Sequence, residues 1–233
     1  MKLSFFKVWA CVAAASVAAL SSSAQAAETG KAVVRSLRGQ AQYAEGGSWL
    51  ALKVGQVLKP GAVVRTANDS QVDLFMDQNG PIVRLVENTT LGIDKLNFEA
   101  TGIDTVIETQ LDLKSGRIIG VVSKMAATSK YEIKTPNGVA GIRGTEYSVS
   151  ATGEVYVLSG SVVVVYVRSD GTVVTQVVNE GQMFVPSTGK VEPIPADMLA
   201  KLKRERNNLI GVEAAALQVE EPIVIFVSPT VGQ

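Results

Sequence analysis

Across residues 31–186, apolar and polar residues alternate in short runs. Val72, Leu74 and Met76 interleave with Gln71, Asp73 and Phe75; Tyr131, Ile133 and Thr135 interleave with Glu132 and Lys134. Tyr147 and Val149 likewise interleave with Glu146, Ser148 and Ser150. A period of two sends one set to one face of a strand and the other set to the opposite face. The runs are punctuated by Gly46-Gly47, Pro60-Gly61, Asn79-Gly80, Asn137-Gly138, Ser159-Gly160 and Asp170-Gly171. Each pair supplies the positive or fixed φ of a tight reversal. The spacing predicts a hairpin around Ser159-Gly160 within residues 155–168, and a second around Asp170-Gly171 leading into residues 172–178. The β-branched run at residues 162–167 predicts a buried strand. Residues 54–60 and 180–186 share Gly-Gln, two apolar residues, a variable residue and Pro, so two similar strand-and-turn units are expected at opposite ends of the β region.

The pattern changes near Val191. Pro193 and Pro195 break the alternation, and residues 196–218 read as helix. Met198, Leu199, Leu202, Leu209 and Ile210 share a face, with Lys201, Lys203, Arg204 and Glu205 mostly elsewhere. Such a helix is expected to cover an open sheet edge or end, the alternative being a partner-binding helix. Residues 220–233, with the apolar run Ile223-Val224-Ile225-Phe226-Val227, read as an orphan strand or loose tail. The expected fold class is all-β: a solenoid-like or twisted β-sheet module of short strands with a C-terminal helix. The expected divisions are a signal peptide at 1–26, a β domain at 31–186, and a helix and tail at 187–233.

The leader rests on three zones. Lys2 and Lys7 give a positive start, an apolar stretch follows over residues 8–20, and Ala24-Gln25-Ala26 is the small-x-small site of signal peptidase. The apolar stretch falls short of the ~20 residues that span a bilayer. Cleavage after Ala26 and a periplasmic or secreted location in a Gram-negative bacterium are expected. Cys11 lies inside the apolar stretch beside bulky Trp9, a poor context for lipid attachment.

Composition narrows the chemistry. The chain has no histidine, and its one cysteine is in the leader. Ser-His-Asp and Cys-His catalysis, haem ligation by His or Cys and Cys/His zinc sites are thereby excluded from the mature chain. Without Lys2 and Lys7, 20 basic residues face 22 acidic ones, which offers no positive field to nucleic acid or anionic lipid. The oxygen-rich turn Asp77-Gln78-Asn79-Gly80 lacks the ligand series of a calcium loop. Asn88-Thr89-Thr90 reads as a turn. No metal and no cofactor are expected.

The segment Thr135-Pro136-Asn137-Gly138-Val139-Ala140-Gly141-Ile142-Arg143-Gly144-Thr145-Glu146-Tyr147-Ser148-Val149 resembles the signature of the FecR protein domain. Trp49-Leu50-Ala51-Leu52 and Gly55-Gln56-Val57-Leu58 are similar to steps near that domain's start, Asn88-Thr89-Thr90-Leu91 to its Asn-Thr-x-Leu step, and Val157-Leu158-Ser159-Gly160-Ser161-Val162 to its closing hairpin. The resemblance spans residues 31–186. It implies a β-rich periplasmic module of the kind found in standalone exported proteins. The cytoplasmic anti-sigma segment of the family's namesake has no room before the apolar stretch, so direct sigma-factor control does not carry over.

Arg143, Gly144, Thr145 and Trp49 are the candidate residues, structural or binding. Gly141 and Gly144 free the backbone around Arg143, and the guanidinium offers a planar fork of donors. It could clasp strand-end carbonyls or contact a ligand; the need to satisfy turn backbone favours the clasp. No catalytic residue is assigned. Asp94 with Glu99, and Glu108 with Asp112, are candidate carboxylate pairs for sugar cleavage. Glu108 and Asp112 share a strand face about 13 Å apart, beyond the usual range. The function expected is non-enzymatic binding or interaction in envelope sensing or signalling. An envelope protein is favoured over a glycan as partner, because aromatic residues are few. A polysaccharide-binding or polysaccharide-active β-solenoid and a structural envelope protein are the alternatives.

Overall fold

The alternating segments form strands in the computed structural model, which describes residues 27–80, 82–101 and 104–219, with side chains placed as far as Val212. The leader, its cleavage site and the 220–233 tail lie outside the described residues. The strands are β1 (Glu28–Thr29), β2 (Ala32–Arg38), β3 (Ala41–Ala44), β4 (Leu50–Ala51), β5 (Val57–Leu58), β6 (Val63–Thr66), β7 (Gln71–Phe75), β8 (Ile82–Leu85) and β9 (Thr90–Ala100). They continue as β10 (Thr105–Ser115), β11 (Arg117–Val121), β12 (Lys130–Thr135), β13 (Gly138–Ser150), β14 (Val155–Val167), β15 (Val173–Asn179), β16 (Gln182–Val185) and β17 (Lys190–Pro193). One helix, α1 (Ala196–Val219), follows. The all-β class with a C-terminal helix holds.

The sheet curls onto itself. Pairing runs from β9 to β10, β12, β13, β11, β8, β7 and β2, and β1 at the head of β2 pairs back onto β9. β10 and β12 are parallel; the other pairs are antiparallel. From the second edge of β9 the sheet continues through β6, β3 and β4. From the second edge of β13 it continues through β14 to β15 and β16, and from β16 to β17.

The inward sets of the alternation fill one core. Val72, Leu74, Met76, Tyr131, Ile133, Tyr147 and Val149 are all buried in it. Tyr131 and Tyr147 meet edge to face with ring centroids 6.4 Å apart, and their hydroxyls are 3.3 Å apart. Burial pushes both phenols well above their ordinary pKa. Gly120, directly opposite Tyr147, makes room for that ring; a Cβ there would overlap it.

The structure corrects three expectations. β14 is one continuous strand rather than a hairpin around Ser159-Gly160. Gly160 does take a positive φ of 81°, but spends it facing a bulge in β13 rather than reversing the chain. The reversal at Asp170-Gly171 is real, and joins β14 to β15. The run at 162–167 is buried on one side only: Val162 and Val164 point inward, whereas Val163, Val165 and Val167 are 46%, 37% and 43% exposed. No described element covers that outer face. Finally, α1 lies across a sheet face rather than an edge. Leu209 packs on Ile82 and Ile119, and Leu202 packs on Leu158 and Ile194. Glu205 faces the sheet with them, because its partner is an arginine there.

Candidate functional site

The Arg-Gly-Thr motif sits where β13 changes partners. Its first part, residues 138–141, pairs with β12; its last part, residues 146–150, pairs with β11. Between them the register against β14 slips: Arg143 faces Ser161 and Glu146 faces Ser159. Gly144 and Thr145 therefore oppose Gly160 alone, a β-bulge with glycine in the left-handed position at φ 57°. The bulge bends β13 so that one strand serves both partners. A Cβ on Gly160 would overlap the Gly144 carbonyl, so Gly160 is required by close approach and Gly144 is favoured by its positive φ. The clasp is Thr145. It is buried, its hydroxyl donates to the Ser161 carbonyl at 2.9 Å, and its own carbonyl accepts from the Val122 amide at 3.0 Å. Arg143 is exposed, without a hydrogen bond or ion pair among the described residues. The buried-clasp reading of Arg143 is therefore corrected: its side chain is exposed, and Thr145 ties the two strands instead.

Trp49 belongs to a different surface. It precedes β4 and is 37% exposed. The Arg65 guanidinium lies 3.9 Å from its ring centroid, a cation–π stack. Arg65 Nε and Nη2 both donate to Gln42 Oε1, at 2.9 and 2.6 Å, which fixes the guanidinium plane over the indole. β4 pairs with only Gln42 and Tyr43 of β3, and beside this short cover opens a cleft of about 390 Å³. Leu37, Ala41, Ala51 and Leu52 give it an apolar lining; Gln42 and Arg65 give it polar groups. Leu50 next to Trp49 is 55% exposed. Sequence reading found Trp49 but missed Arg65 and Gln42. The alternation of Val63-Val64-Arg65-Thr66 does place Arg65 outward, yet only the β3–β6 register, Gln42 opposite Arg65, brings the group together.

The carboxylate candidates form no catalytic constellation. Glu108 pairs with Lys95 at 2.9 Å, Asp94 with Lys134 at 3.2 Å and Asp112 with Lys114 at 3.5 Å, all on the solvent side of β9, β10 and β12. The hydrogen bond from Lys95 holds the Glu108 carboxyl below its usual range, and Glu108 in turn raises Lys95. A general acid needs the opposite shift.

A charged network under α1 escaped the sequence reading. Asp73 and Arg84 are opposite one another on β7 and β8, buried, and joined by two hydrogen bonds of 2.6 and 2.9 Å. Arg84 Nη1 also donates to the Glu205 carbonyl at 3.3 Å. Arg117 grips the Glu205 carboxylate at 3.0 and 3.2 Å and donates to Ser148 at 3.3 Å. Arg206 reaches Glu146 at 3.5 Å. These contacts seat the helix on the sheet.

Comparison with known proteins bears on the bulge directly. A family model described as FecR protein matches residues 62–163, from the start of β6 into β14, with the Arg-Gly-Thr bulge inside the match. The chain carries a FecR domain. The FecR family serves regulation and signalling and is not known for enzymes. No curated protein matches the chain. The matched stretch is narrower than the resemblance over residues 31–186, and Trp49 lies outside it. No helix among the described residues is long and apolar enough to cross a membrane.

Proposed function

We propose that this FecR-domain chain is a non-enzymatic binding module of the periplasm, acting in envelope sensing or signalling, and that it meets an envelope protein at the Trp49–Arg65 cleft. The observation that carries this reading is the exposed, pre-ordered Arg65, which stacks on Trp49 and lines a cleft of mixed apolar and polar character. Trp and Arg are the side chains that most often anchor protein interfaces. Here both are held in place before any partner arrives, which lowers the ordering cost of binding. Export would follow from the leader at residues 1–26, whose three zones fit signal-peptidase processing.

The test places a photoreactive residue at Leu50 in cells. One envelope protein is expected to be captured by the parent, and lost when Trp49→Ala and Arg65→Glu are combined, with the thermal melt unchanged. Capture of the same protein by the double variant would rule out the cleft. A protein that stays in the cytoplasm with Met1 intact would rule out the periplasmic assignment.

A further inference from the structure

The edge strands of this sheet are not equally protected. β4 has two residues, too short to template another strand. β17, which pairs with β16 alone, reads Lys190-Val191-Glu192-Pro193, two charges and a proline. Both are the usual defences of a free edge. β15 has none of them. It runs seven residues, Val173-Val174-Thr175-Gln176-Val177-Val178-Asn179, with no charge, no proline and no glycine, and pairs with β14 alone among the described residues. Its outer face adjoins the bare face of β14: Val163 lies opposite Val177 and Val167 opposite Val173. Val173 and Val177 are 60% and 52% exposed.

We infer that β15 is a self-association edge, pairing antiparallel with β15 of a second copy of this chain about a two-fold axis at Gln176. A two-fold contact sets each residue against a residue of the same strand, so a charge near the axis meets its own copy. β15 escapes that conflict. With the axis at Gln176, Val174 faces Val178 of the other copy, Thr175 faces Val177, and Val173 faces Asn179. Beyond the strand, Glu180 meets Thr172, and the pairing ends there, because β17 already holds Gln182 and the Ile194 amide donates to the Gly181 carbonyl; no like charges oppose. Full-length pairing satisfies backbone groups on both edges at once. It also joins the two exposed valine faces into one four-stranded surface.

Two changes at Thr175, which is exposed, test the arrangement in the full chain carrying Cys11→Ser. Sedimentation velocity is expected to give a concentration-dependent dimer for the parent and a monomer for Thr175→Lys, which arms the edge with the defence it lacks. Diagonal neighbours across an antiparallel pair are about 7–8 Å apart, so Thr175→Cys is expected to cross-link to itself through a short bis-maleimide. Lys95→Cys, on the charged face, is not. A parent that stays monomeric at every concentration overturns the inference, as does a dimer that survives Thr175→Lys. A dimer that fails to cross-link through Thr175→Cys overturns the assigned register and, with it, the edge.

Discussion

The outer faces of two neighbouring regions carry opposite chemistry. Across β7, β8, β11 and β13, one transverse row reads Asp73, Arg84, Ile119, Ser148, and all four are buried. Across β14 and β15, the outer positions include Val163, Val165, Val167, Val173 and Val177, and all five are exposed. The usual rule is inverted: charge under cover, valine in the open. The cause is α1. Where α1 lies, an arginine and an aspartate find each other and the Glu205 backbone, so their burial is compensated. Where α1 does not reach, the outer face keeps an apolar composition without a described lid. A period of two thus tells which residues share a face, but not what stands opposite that face.

Breaking the covered region should have the largest effect. Asp73→Ala leaves the Arg84 guanidinium buried without its carboxylate, which costs about 3–5 kcal/mol. Urea denaturation would read this as a lower midpoint with a similar slope. Asp73→Leu combined with Arg84→Met removes both charges and is expected to recover most of the loss, because well-packed apolar residues replace buried ion pairs at little cost. A double variant as weak as Asp73→Ala would mean that the pair is irreplaceable for seating α1.

The same substitution type in each region sharpens the contrast. Ile119→Thr places a hydroxyl beneath the helix, against Leu209 and Ile82, and should cost about 2–3 kcal/mol through lost packing and an unpaired polar group. Val163→Thr, on the open valine face, should stay within about 0.5 kcal/mol for the isolated domain. Equal losses at the two positions would show that some part of the protein covers β14.

These outcomes also mark what the sequence alone could yield. The inward alternation of Val72, Leu74 and Met76, or of Tyr147 and Val149, was legible because burial of one face is a local, periodic signal. The pairs Asp73–Arg84 and Glu205–Arg117 were not legible. A charged residue at an outward position reads as solvated, and only a helix more than a hundred residues away makes it otherwise. Gly160 misled for a related reason: positive φ serves a bulge as well as a turn, and the choice depends on the opposing strand. Trp49 stood out by its rarity, while Arg65 and Gln42 became a site only through register.

Gly144 joins the two regions, since β13 leaves β12 and takes up β11 at its bulge. Gly144→Ala puts an L-residue in the left-handed conformation, at a cost of about 1–2 kcal/mol. Its Cβ would also stand 3.1 Å from the Lys124 backbone. The expected readout is a lower Tm. A variant that melts like the parent would mean that the bulge can relocate along β13.

The smallest effect is expected one residue earlier. Arg143 is the most conspicuous side chain of its motif, yet it is exposed and unpaired among the described residues, so Arg143→Ala should change stability by no more than about 0.5 kcal/mol. Thr145→Val is its control. That change keeps the shape but deletes the hydroxyl that donates to Ser161, and a lost hydrogen bond of this kind is worth about 1 kcal/mol. Thermal melts of the two variants separate backbone geometry from side-chain chemistry within one motif. If Thr145→Val is the weaker protein, the motif holds the fold through Gly144 and Thr145, and Arg143 is left free to meet something outside the chain. If Arg143→Ala is the weaker, its guanidinium must have a buried acceptor, and the solvent-facing position assigned to it here is wrong.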